Sequence, residues 1–434
     1  DDRVGFGGWS IDLHPTGGMY ATERGSRHWH PDGNYHIPLR SLYSQNVSNM
    51  WMAGRDISAT HVAFGTTRVM ATCAVVGEAA GMAAALTAKT GYSPRQLATE
   101  HFDLMRTALV RADASVLGVE HRDPADRALE ASVSASSQRT DLGRLRPSLL
   151  RDLGAALGVV VPVDPELNGI DVLLDAEAET ELEVEVRQID QPQNYLPGDA
   201  VVASASVPLS AGDGQWVHLP LRWQPGQPQN AFVVIHANPG VRIHLSRDTP
   251  PGLLTFYYDQ MSPEEKYTEQ WRPWKQFKDR ETACLRLASP TQAFAPQMAV
   301  GGYARPWGGP QMWVSAPLGE DPEPRLELTW EHGVDVGEIA VIFDDDLDED
   351  LINLHHHRTP HDVLPTLVRD YRIEVDDARG QRHVVAEVAD NRMRHRRHQV
   401  QGPAAIVAAR LIVSKTNGAP AAHVVSFRAW APTA

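Results

Sequence analysis

The chain has 434 residues, of which 42% are hydrophobic and 22% charged, and its formal net charge is −15 at pH 7. Its composition is that of ordinary globular protein with material for more than one core. The negative charge argues against nucleic acid as a partner, because phosphate binding requires clustered lysine and arginine. No segment approaches the roughly 20 apolar residues that span a bilayer, so we expect no membrane partner.

Two further features of composition bear on location and chemistry. Cys73 and Cys284 are the only cysteines, and they form neither a CxxC motif nor a zinc-binding spacing. We therefore expect no disulfide between them. The first residues, Asp-Asp-Arg, are not a signal peptide, and a cytoplasmic location is the default expectation.

The first predicted element of interest is a strand at residues 50–53. This apolar run ends at Gly54, Arg55 and Asp56, a pattern typical of a buried strand that delivers its last side chain to a ligand. Asp56 would then accept a hydrogen bond from a ribose or ribityl hydroxyl.

A helix rich in alanine and glycine is predicted next. Gly65, Thr66 and Thr67 form its expected N-terminus, with a threonine as cap, and Gly91 closes it after about Lys89. Interior glycines cost roughly 1 kcal/mol each relative to alanine, so a face of small residues predicts close packing against another group. That face contains Ala74, Gly77, Gly81 and Ala84. The positive end of the helix favours an anionic group such as a reduced flavin, although a helix packed on a sheet without ligand fits the periodicity equally well.

Several runs in the first hundred residues agree in order with one known family. They are Gly7-Gly-Trp-Ser-Ile-Asp-Leu-His14, Tyr35-His-Ile-Pro-Leu-Arg-Ser-Leu42, Met52-Ala-Gly-Arg-Asp56, Ser58-Ala-Thr-His61, Arg68-Val-Met70 and Cys73-Ala-Val-Val-Gly77. This segment resembles the C-terminal flavin-binding part of bacterial FAD-dependent oxidoreductases, in the wider class that includes fumarate reductase and succinate dehydrogenase flavoproteins. The resemblance implies FAD as cofactor. The residues expected to bind it are Gly54, Arg55, Asp56, Gly65, Thr66 and Thr67.

One part of such flavoproteins has no counterpart in this sequence. They begin with a strand, a Gly-x-Gly-x-x-Gly turn and a helix whose N-terminus holds the FAD pyrophosphate. The nearest cluster here, Gly5, Gly7 and Gly8, lacks the third glycine and leads to Pro15 rather than to a helix. We therefore expect the chain to be the C-terminal part of a larger enzyme. Its glycine-rich half would be a second chain, a cleaved part of a common precursor or a segment removed from the sequence.

His61 and Arg68 are the first candidates for catalysis. Both lie on the stretch that resembles the His- and Arg-bearing segment of fumarate reductase relatives, where such groups face the substrate, although the spacing differs. His61 would act as acid or base, and Arg68 would orient an oxygen anion. Asp12 and His14 are second candidates for proton transfer, and a purely structural polar role fits each of them equally well.

Beyond this segment a serine-capped helix is expected from Ser93, with Leu97, Leu104 and Leu109 on its apolar face. After residue 126 the pattern changes to short alternating runs separated by Pro, Gly and Asn, which is typical of antiparallel sandwiches. The second half of these runs resembles a galactose-binding-like, discoidin-type jelly roll.

The predicted fold class is therefore mixed: the C-terminal part of an α/β FAD-binding domain followed by two antiparallel β-sandwich (jelly-roll) domains. We expect the FAD-binding part at residues 1–126, a β-sandwich domain at 127–260, a connector at 261–282 and the galactose-binding-like sandwich at 283–434.

Three other clusters invite a site assignment. His355-His-His357 with His361 could hold a metal, but no cysteine or acid falls at a zinc spacing. The acidic run at residues 344–350 lacks the glycine and terminal glutamate of an EF-hand, so a solvated loop is favoured over a calcium site. We therefore expect no metal. Packing is also favoured over sugar stacking for three aromatic residues: Tyr303, Trp307 and Trp313.

Two functions remain open. The first is an FAD-dependent oxidoreductase that acts on a small polar molecule, such as a carbohydrate or glycoside. The alternative is a carbohydrate-binding or assembly subunit without redox chemistry of its own. A polysaccharide lyase or hydrolase lacks a convincing constellation of paired carboxylates or of His and Tyr.

Overall fold

The computed structural model describes residues 2–29, 33–193, 195–260, 273–277, 279–347, 361–402 and 404–432. Most of this chain is β-sheet, and the α-helices that it describes all precede residue 112. His355-His-His357, Asp348 and Asp350 lie outside the described residues.

The N-terminal region combines two small hairpin-like sheets with a group of helices. Its strands are β1 (Arg3–Gly7), β2 (Ile11–Leu13), β3 (Arg27–Trp29) and β4 (Tyr35–Pro38). Strand β1 pairs antiparallel with β4, and β2 pairs antiparallel with β3. The helices are α1 (His61–Thr67), α2 (Met70–Thr90), α3 (Pro94–Thr99) and α4 (Phe102–Arg111). The layered parallel sheet of an α/β FAD-binding domain is not confirmed.

The prediction of a strand at residues 50–53 is wrong. Met50 is 37% exposed, and Trp51 forms only a single bridge, to Tyr43. Residues Gly54–Asp56 form one turn of 3₁₀ helix instead. A buried strand requires neighbours on both sides for its backbone groups, and the described residues supply only that bridge.

The alanine-rich helix does not begin at the threonines. Thr66 and Thr67 end α1, whose N-cap is Thr60, and the chain is extended at Val69 before α2 begins. Thr66 is held inside, because its hydroxyl donates to the carbonyl of Trp9 at 2.6 Å. The expected end is confirmed: Gly91 adopts the left-handed conformation with φ of 75° and donates its N–H to the carbonyl of Thr87.

One face of α2 is packed and the opposite face is open. The buried residues are Thr72, Val76, Ala79, Ala80 and Ala83. A Cβ added at Gly77 or Gly81 would meet no atom within 4 Å, so the close packing expected on the small-residue face is absent from the described part of the chain. The helix is also long and apolar enough to cross a membrane, contrary to expectation, but one such helix is weak evidence by length and composition alone.

Two helices, rather than one, follow α2. Ser93 caps α3 through a capping box with Gln96, as its sequence predicts. In α4, Met105 and Leu109 are buried, whereas Leu104 is 42% exposed and does not belong to the packed face.

The first sandwich consists of two antiparallel sheets. The strands from residue 132 to residue 287 are β5 (Ser132–Ala135), β6 (Pro147–Asp152), β7 (Leu157–Val163), β8 (Leu167–Ala176), β9 (Thr180–Gln191), β10 (Leu196–Leu209), β11 (Gly212–Trp223), β12 (Gln229–Ile235), β13 (Val241–Ser246), β14 (Leu254–Tyr258), β15 (Trp274–Gln276), β16 (Thr282–Ala283) and β17 (Leu285–Leu287). One sheet has the order β10-β9-β12-β7-β14-β15. The other has the order β11-β8-β13-β16, with β6 on β13 and β17 on β8. Strand β7 is buried throughout, which places it at the centre.

The second sandwich contains the remaining strands. They are β18 (Trp313–Pro317), β19 (Arg325–Val334), β20 (Glu338–Phe343), β21 (Val368–Asp377), β22 (Arg382–Val388), β23 (His395–Gln399), β24 (Ile406–Thr416) and β25 (Ala421–Trp430). Its sheets have the orders β18-β25-β20-β23 and β22-β21-β24-β19-β5. Every residue of β25 is buried.

The strand pairing divides the chain differently from the expected boundaries at 127, 261 and 283. Strand β5 pairs with β19 and belongs to the second sandwich. Strands β15, β16 and β17 lie in what was expected to be the connector and the second sandwich, yet they complete the sheets of the first. The second sandwich is therefore built from segments distant in sequence, whereas the strands of the first all lie between residues 147 and 287.

Candidate functional site

A polar cluster lies on the β2–β3 hairpin, beside the C-terminal end of α1. In the hairpin register Asp12 is paired with His28, so both side chains project from the same face. The hydroxyl of Ser26 donates to Oδ1 of Asp12 at 2.5 Å and lies 2.8 Å from Nε2 of His28. The other ring nitrogen of His28, Nδ1, lies 2.9 Å from the hydroxyl of Ser10. These residues form a continuous chain of hydrogen bonds from Ser10 to Asp12.

His14 and Arg68 approach Asp12 from its other oxygen. Nε2 of His14 lies 3.4 Å from Oδ2 of Asp12, and Nη2 of Arg68 lies 3.6 Å from the same oxygen. Arg68 also donates from Nη2 to the backbone carbonyl of Asp12 at 3.1 Å. His14 is more than half exposed, whereas Asp12 and Arg68 are mostly covered. A solvent-facing imidazole therefore sits against a carboxylate that the protein holds in place.

Glycine at position 65 allows α1 to lie against this hairpin. A Cβ at Gly65 would come within 2.9 Å of the carbonyl oxygen of Asp12, which no side chain tolerates. The hydroxyl of the neighbouring Thr66, whose proton is donated to the carbonyl of Trp9, accepts a hydrogen bond from the hydroxyl of Tyr35 at 2.8 Å. Burial raises the pKa of Tyr35, so this phenol stays protonated near neutral pH. The hairpin and the end of α1 are thus fixed to one another.

Asp56 lines a separate open cavity of about 610 Å³. Other side chains at this cavity include Arg40, Tyr43, Ser58 and Arg95. The turn that carries Asp56 begins at Gly54, whose φ of 61° is a left-handed conformation that glycine adopts without strain. The carboxylate is exposed and accessible to a ligand hydroxyl.

The start of α2 fits an anionic or carbonyl edge such as that of a flavin. Its N-cap residue, Val69, makes no side-chain cap, so the first amides of a 21-residue helix lack that partner. Three residues before α2 begins, the hydroxyl of Thr67 is buried and has no hydrogen-bond partner among the described residues. Buried polar atoms are nearly always satisfied, so this hydroxyl indicates a partner that the described residues do not supply. Asp56, Thr67 and the open face of α2 therefore have the chemistry that FAD requires.

The structure brings together three of the four candidate catalytic residues. Asp12, His14 and Arg68 meet within one cluster, whereas His61, at the first position of α1, is exposed and makes no hydrogen bond or ion pair with any described residue. Ser26 and His28 were not expected. The signal for them was their two-residue spacing, with His28 on the strand opposite Asp12 and Ser26 just before that strand, which becomes informative only once the hairpin register is known.

The six residues expected to bind FAD lie on two segments, 54–56 and 65–67, and they have different roles. Arg55 stacks over the ring of Phe64, with 5.2 Å from its guanidinium carbon to the ring centroid. Gly65 and Thr66 contact the hairpin rather than face open space. The carboxylate of Asp56 is exposed, and the buried hydroxyl of Thr67 has no partner among the described residues.

The other clusters have structural roles. Each of the acids 344–346 is paired with a basic side chain: Asp344 with His423, Asp345 with Arg394 and Asp346 with Arg280. The expectation of a solvated loop is therefore wrong for these three. In the described part of the chain, no three His, Cys, Asp or Glu side chains are grouped to hold a metal ion.

The aromatic residues pack as expected. Trp313 is fully buried in the second sandwich. Trp307 lies with its ring centroid 6.0 Å from that of His36 and 6.0 Å from that of Tyr303. The guanidinium of Arg3 lies over Trp307 at 5.8 Å. This segment joins the sandwiches to the N-terminal region.

Comparisons with solved structures concern the β-sandwich part. The chain is similar to the family 32 carbohydrate-binding module of Streptococcus pneumoniae EndoD, at 17% identity, with 28% of this chain and 77% of that chain covered and a TM-score of 0.22. It is similar to a chitosan-binding module from a Paenibacillus chitosanase/glucanase, at 12% identity, with 32% and 86% covered and a TM-score of 0.23. It is also similar to an F5/8 type C domain from Bacteroides fragilis, at 9% identity, with 33% of this chain and 83% of that chain covered and a TM-score of 0.24. TM-scores this low support no inference about this chain.

Comparisons of sequence concern the N-terminal region. No curated protein matches the chain. Residues 1–109 match the sequence model of the family described as FAD dependent oxidoreductase, which supports that family, and with it FAD, for the N-terminal region that carries the hairpin cluster and Asp56.

Proposed function

We propose that this chain is the C-terminal part of an FAD-dependent oxidoreductase that acts on a small polar substrate, such as a carbohydrate or glycoside. The observation that carries the proposal is the family match over residues 1–109. Asp56 would accept a hydrogen bond from a ribityl hydroxyl, and Thr67 with the first amides of α2 would bind the polar edge of the ring. FAD would supply the redox step.

The polar cluster around Asp12, called the Asp12 cluster below, would bind the substrate and exchange a proton with it. His14 would take or give a proton, and Asp12 would stabilise the charged ring. Arg68 uses one terminal amino group, Nη2, for Asp12, which leaves further N–H donors for an oxygen anion of the substrate. His61 is a weaker candidate because no described residue orients it.

A glycine-rich half on another chain or segment would complete the flavin site. The open face of α2 offers the place for it, and exposed apolar side chains lie nearby in sequence: Met70 is 89% exposed and Val62 50%. We favour this partner over a membrane because the buried side of α2 contacts β1, α3 and α4, which fixes the helix within the N-terminal region.

The first experiment is an absorption spectrum of the protein purified from its natural source, with intact masses of all subunits. We expect flavin absorbance and an additional polypeptide or precursor part. A colourless preparation with this chain alone would favour the carbohydrate-binding or assembly role.

A second experiment tests Asp56 directly. Asp56→Ala should lower flavin content after gel filtration while the unfolding transition stays unchanged, because the side chain is exposed. The matched control is Asp103→Ala, which removes another exposed acid, on α4, and should retain flavin. Equal flavin content in both variants would remove Asp56 from the site.

A further inference from the structure

The hydrogen bonds around Asp12 determine where the protons of two histidines lie. A carboxylate only accepts, so the single hydroxyl proton of Ser26 is committed to Asp12. Ser26 must then accept at its oxygen from His28, which places a proton on Nε2 of His28. The hydroxyl of Ser10 is free to donate to Nδ1 of His28 at 2.9 Å.

The second histidine has the opposite arrangement. Nδ1 of His14 lies 2.7 Å from the carbonyl oxygen of Gly25, and a carbonyl only accepts. His14 therefore carries its proton on Nδ1. In the neutral ring its Nε2 has a lone pair, and this atom faces Oδ2 of Asp12 and solvent.

We propose that His14 is the base of the site and that Ser26 and His28 are positioning residues that hold Asp12 for it. A substrate hydroxyl would lose its proton to Nε2 of His14: the O–H bond breaks, its electron pair stays on oxygen, and an N–H bond forms. The imidazolium is then paired with Asp12, and the oxygen anion with Arg68. The substrate class is thus a molecule with a hydroxyl group, and this part rests on the proposed function.

His28 cannot replace His14 in this role. Both of its ring nitrogens are engaged, one by Ser10 and one by Ser26. It contributes by fixing Ser26, which in turn fixes Oδ1 of Asp12, so that Oδ2 stays directed to His14 and Arg68.

The test is nitrogen NMR of the full chain labelled with ¹⁵N-histidine, at a pH where both rings are neutral. We expect the Nε2–H form for His28 and the Nδ1–H form for His14. Ser26→Ala should abolish the single tautomer of His28, and Ser26→Thr, which keeps the hydroxyl, should restore it. If His28 is in the Nδ1–H form, or if its tautomer does not change in Ser26→Ala, the proposed positioning role of Ser26 and His28 is overturned.

The control removes a similar hydrogen bond elsewhere. Ser136 donates to Oδ2 of Asp321 at 2.7 Å, outside the hairpin, so Ser136→Ala should leave both tautomers intact. Diethyl pyrocarbonate, which acylates free imidazole nitrogen, should modify His14 before His28 by peptide mass spectrometry. The reverse order would exclude His14 as the base. A flavin-free protein would overturn the proposed function but not the tautomers.

Discussion

The carboxylate of Asp113 lies 2.7 Å from Nε of Arg394, although 281 residues separate them in the chain. Asp113 lies two residues after the end of α4, and Arg394 precedes β23 of the second sandwich. A second arginine, Arg305, lies 3.1 Å from the same carboxylate. Burial lowers the pKa of Arg394, but Asp113 and Asp345 outweigh it and the pKa stays above its ordinary value. The N-terminal region is therefore attached to the sandwich by a buried ion cluster.

Asp113→Asn should destabilise the protein by about 3 kcal/mol, because two arginines that are mostly buried lose their shared anion. Asparagine keeps the shape and tolerates the left-handed backbone at this position, where φ is 55°. Urea unfolding measures the change. Asp103→Asn, whose side chain is 88% exposed, should have no measurable effect. Equal midpoints for the two variants would contradict the role of the cluster.

Gly118→Ala should also loosen the junction between the N-terminal region and the segment of Trp307. An added Cβ would lie 2.6 Å from Nη1 of Arg3 and 2.6 Å from the ring of Trp307, in a backbone with φ of 65°. We expect a loss of about 2 kcal/mol from overpacking and strain, measured by thermal unfolding. Gly154→Ala is the control, because its Cβ would meet no atom within 4 Å. A loss of similar size there would refute the steric explanation.

The stability of the protein should fall in mild acid partly through His36. Burial and the neighbouring Arg3 lower the pKa of His36 from 6.5 to about 4. The unfolded chain therefore binds a proton more readily than the folded chain does, and lowering the pH favours unfolding. The stabilisation that comes from the neutral His36 ring is complete above pH 6.5 and is lost as the pH falls to about 4. Since the ring is partly exposed, we expect it to amount to about 1 to 2 kcal/mol.

His36→Gln checks this sign and size. The difference in free energy of unfolding between pH 7.5 and pH 4.5 should shrink by about 1 kcal/mol in the variant. Other histidines with lowered pKa, His395 and His398, act in the same direction and remain in both proteins. An unaltered dependence in His36→Gln would disprove the assignment.

Local signals predicted local structure, and partners distant in sequence explain most of the differences. Gly91 and Ser93 act on neighbouring backbone, so the end of α2 and the cap of α3 follow from their residue types. Strand β5 pairs with β19 about 190 residues away, which no local pattern encodes. The Asp12 cluster combines both cases: Arg68 was expected from the family resemblance and Asp12 and His14 as candidates for proton transfer, whereas Ser26 and His28 depend on the hairpin register. Residues 50–53, where a strand was expected, form a single bridge, to Tyr43, among the described residues. The open face of α2 is likewise not covered by any described residue at Gly77 or Gly81.

Gly81→Leu separates the fold of this chain from its assembly. The position is exposed on α2 and has open space, so the leucine should leave the stability of the purified chain unchanged or raise it by up to about 1 kcal/mol, since leucine favours helix over glycine. If a glycine-rich partner covers this face, the same leucine should prevent flavin incorporation. Co-purified flavin and subunit masses measure assembly, and circular dichroism measures stability.

Two variants on the same helix control for position. Lys89→Leu adds a leucine in the last turn, outside the small-residue face, and should keep flavin. Ala83→Leu places it on the fully buried face and should destabilise the chain itself, because that side of α2 has no free volume. Retention of flavin by Gly81→Leu at wild-type level would show that no glycine-rich partner binds at the open face of α2.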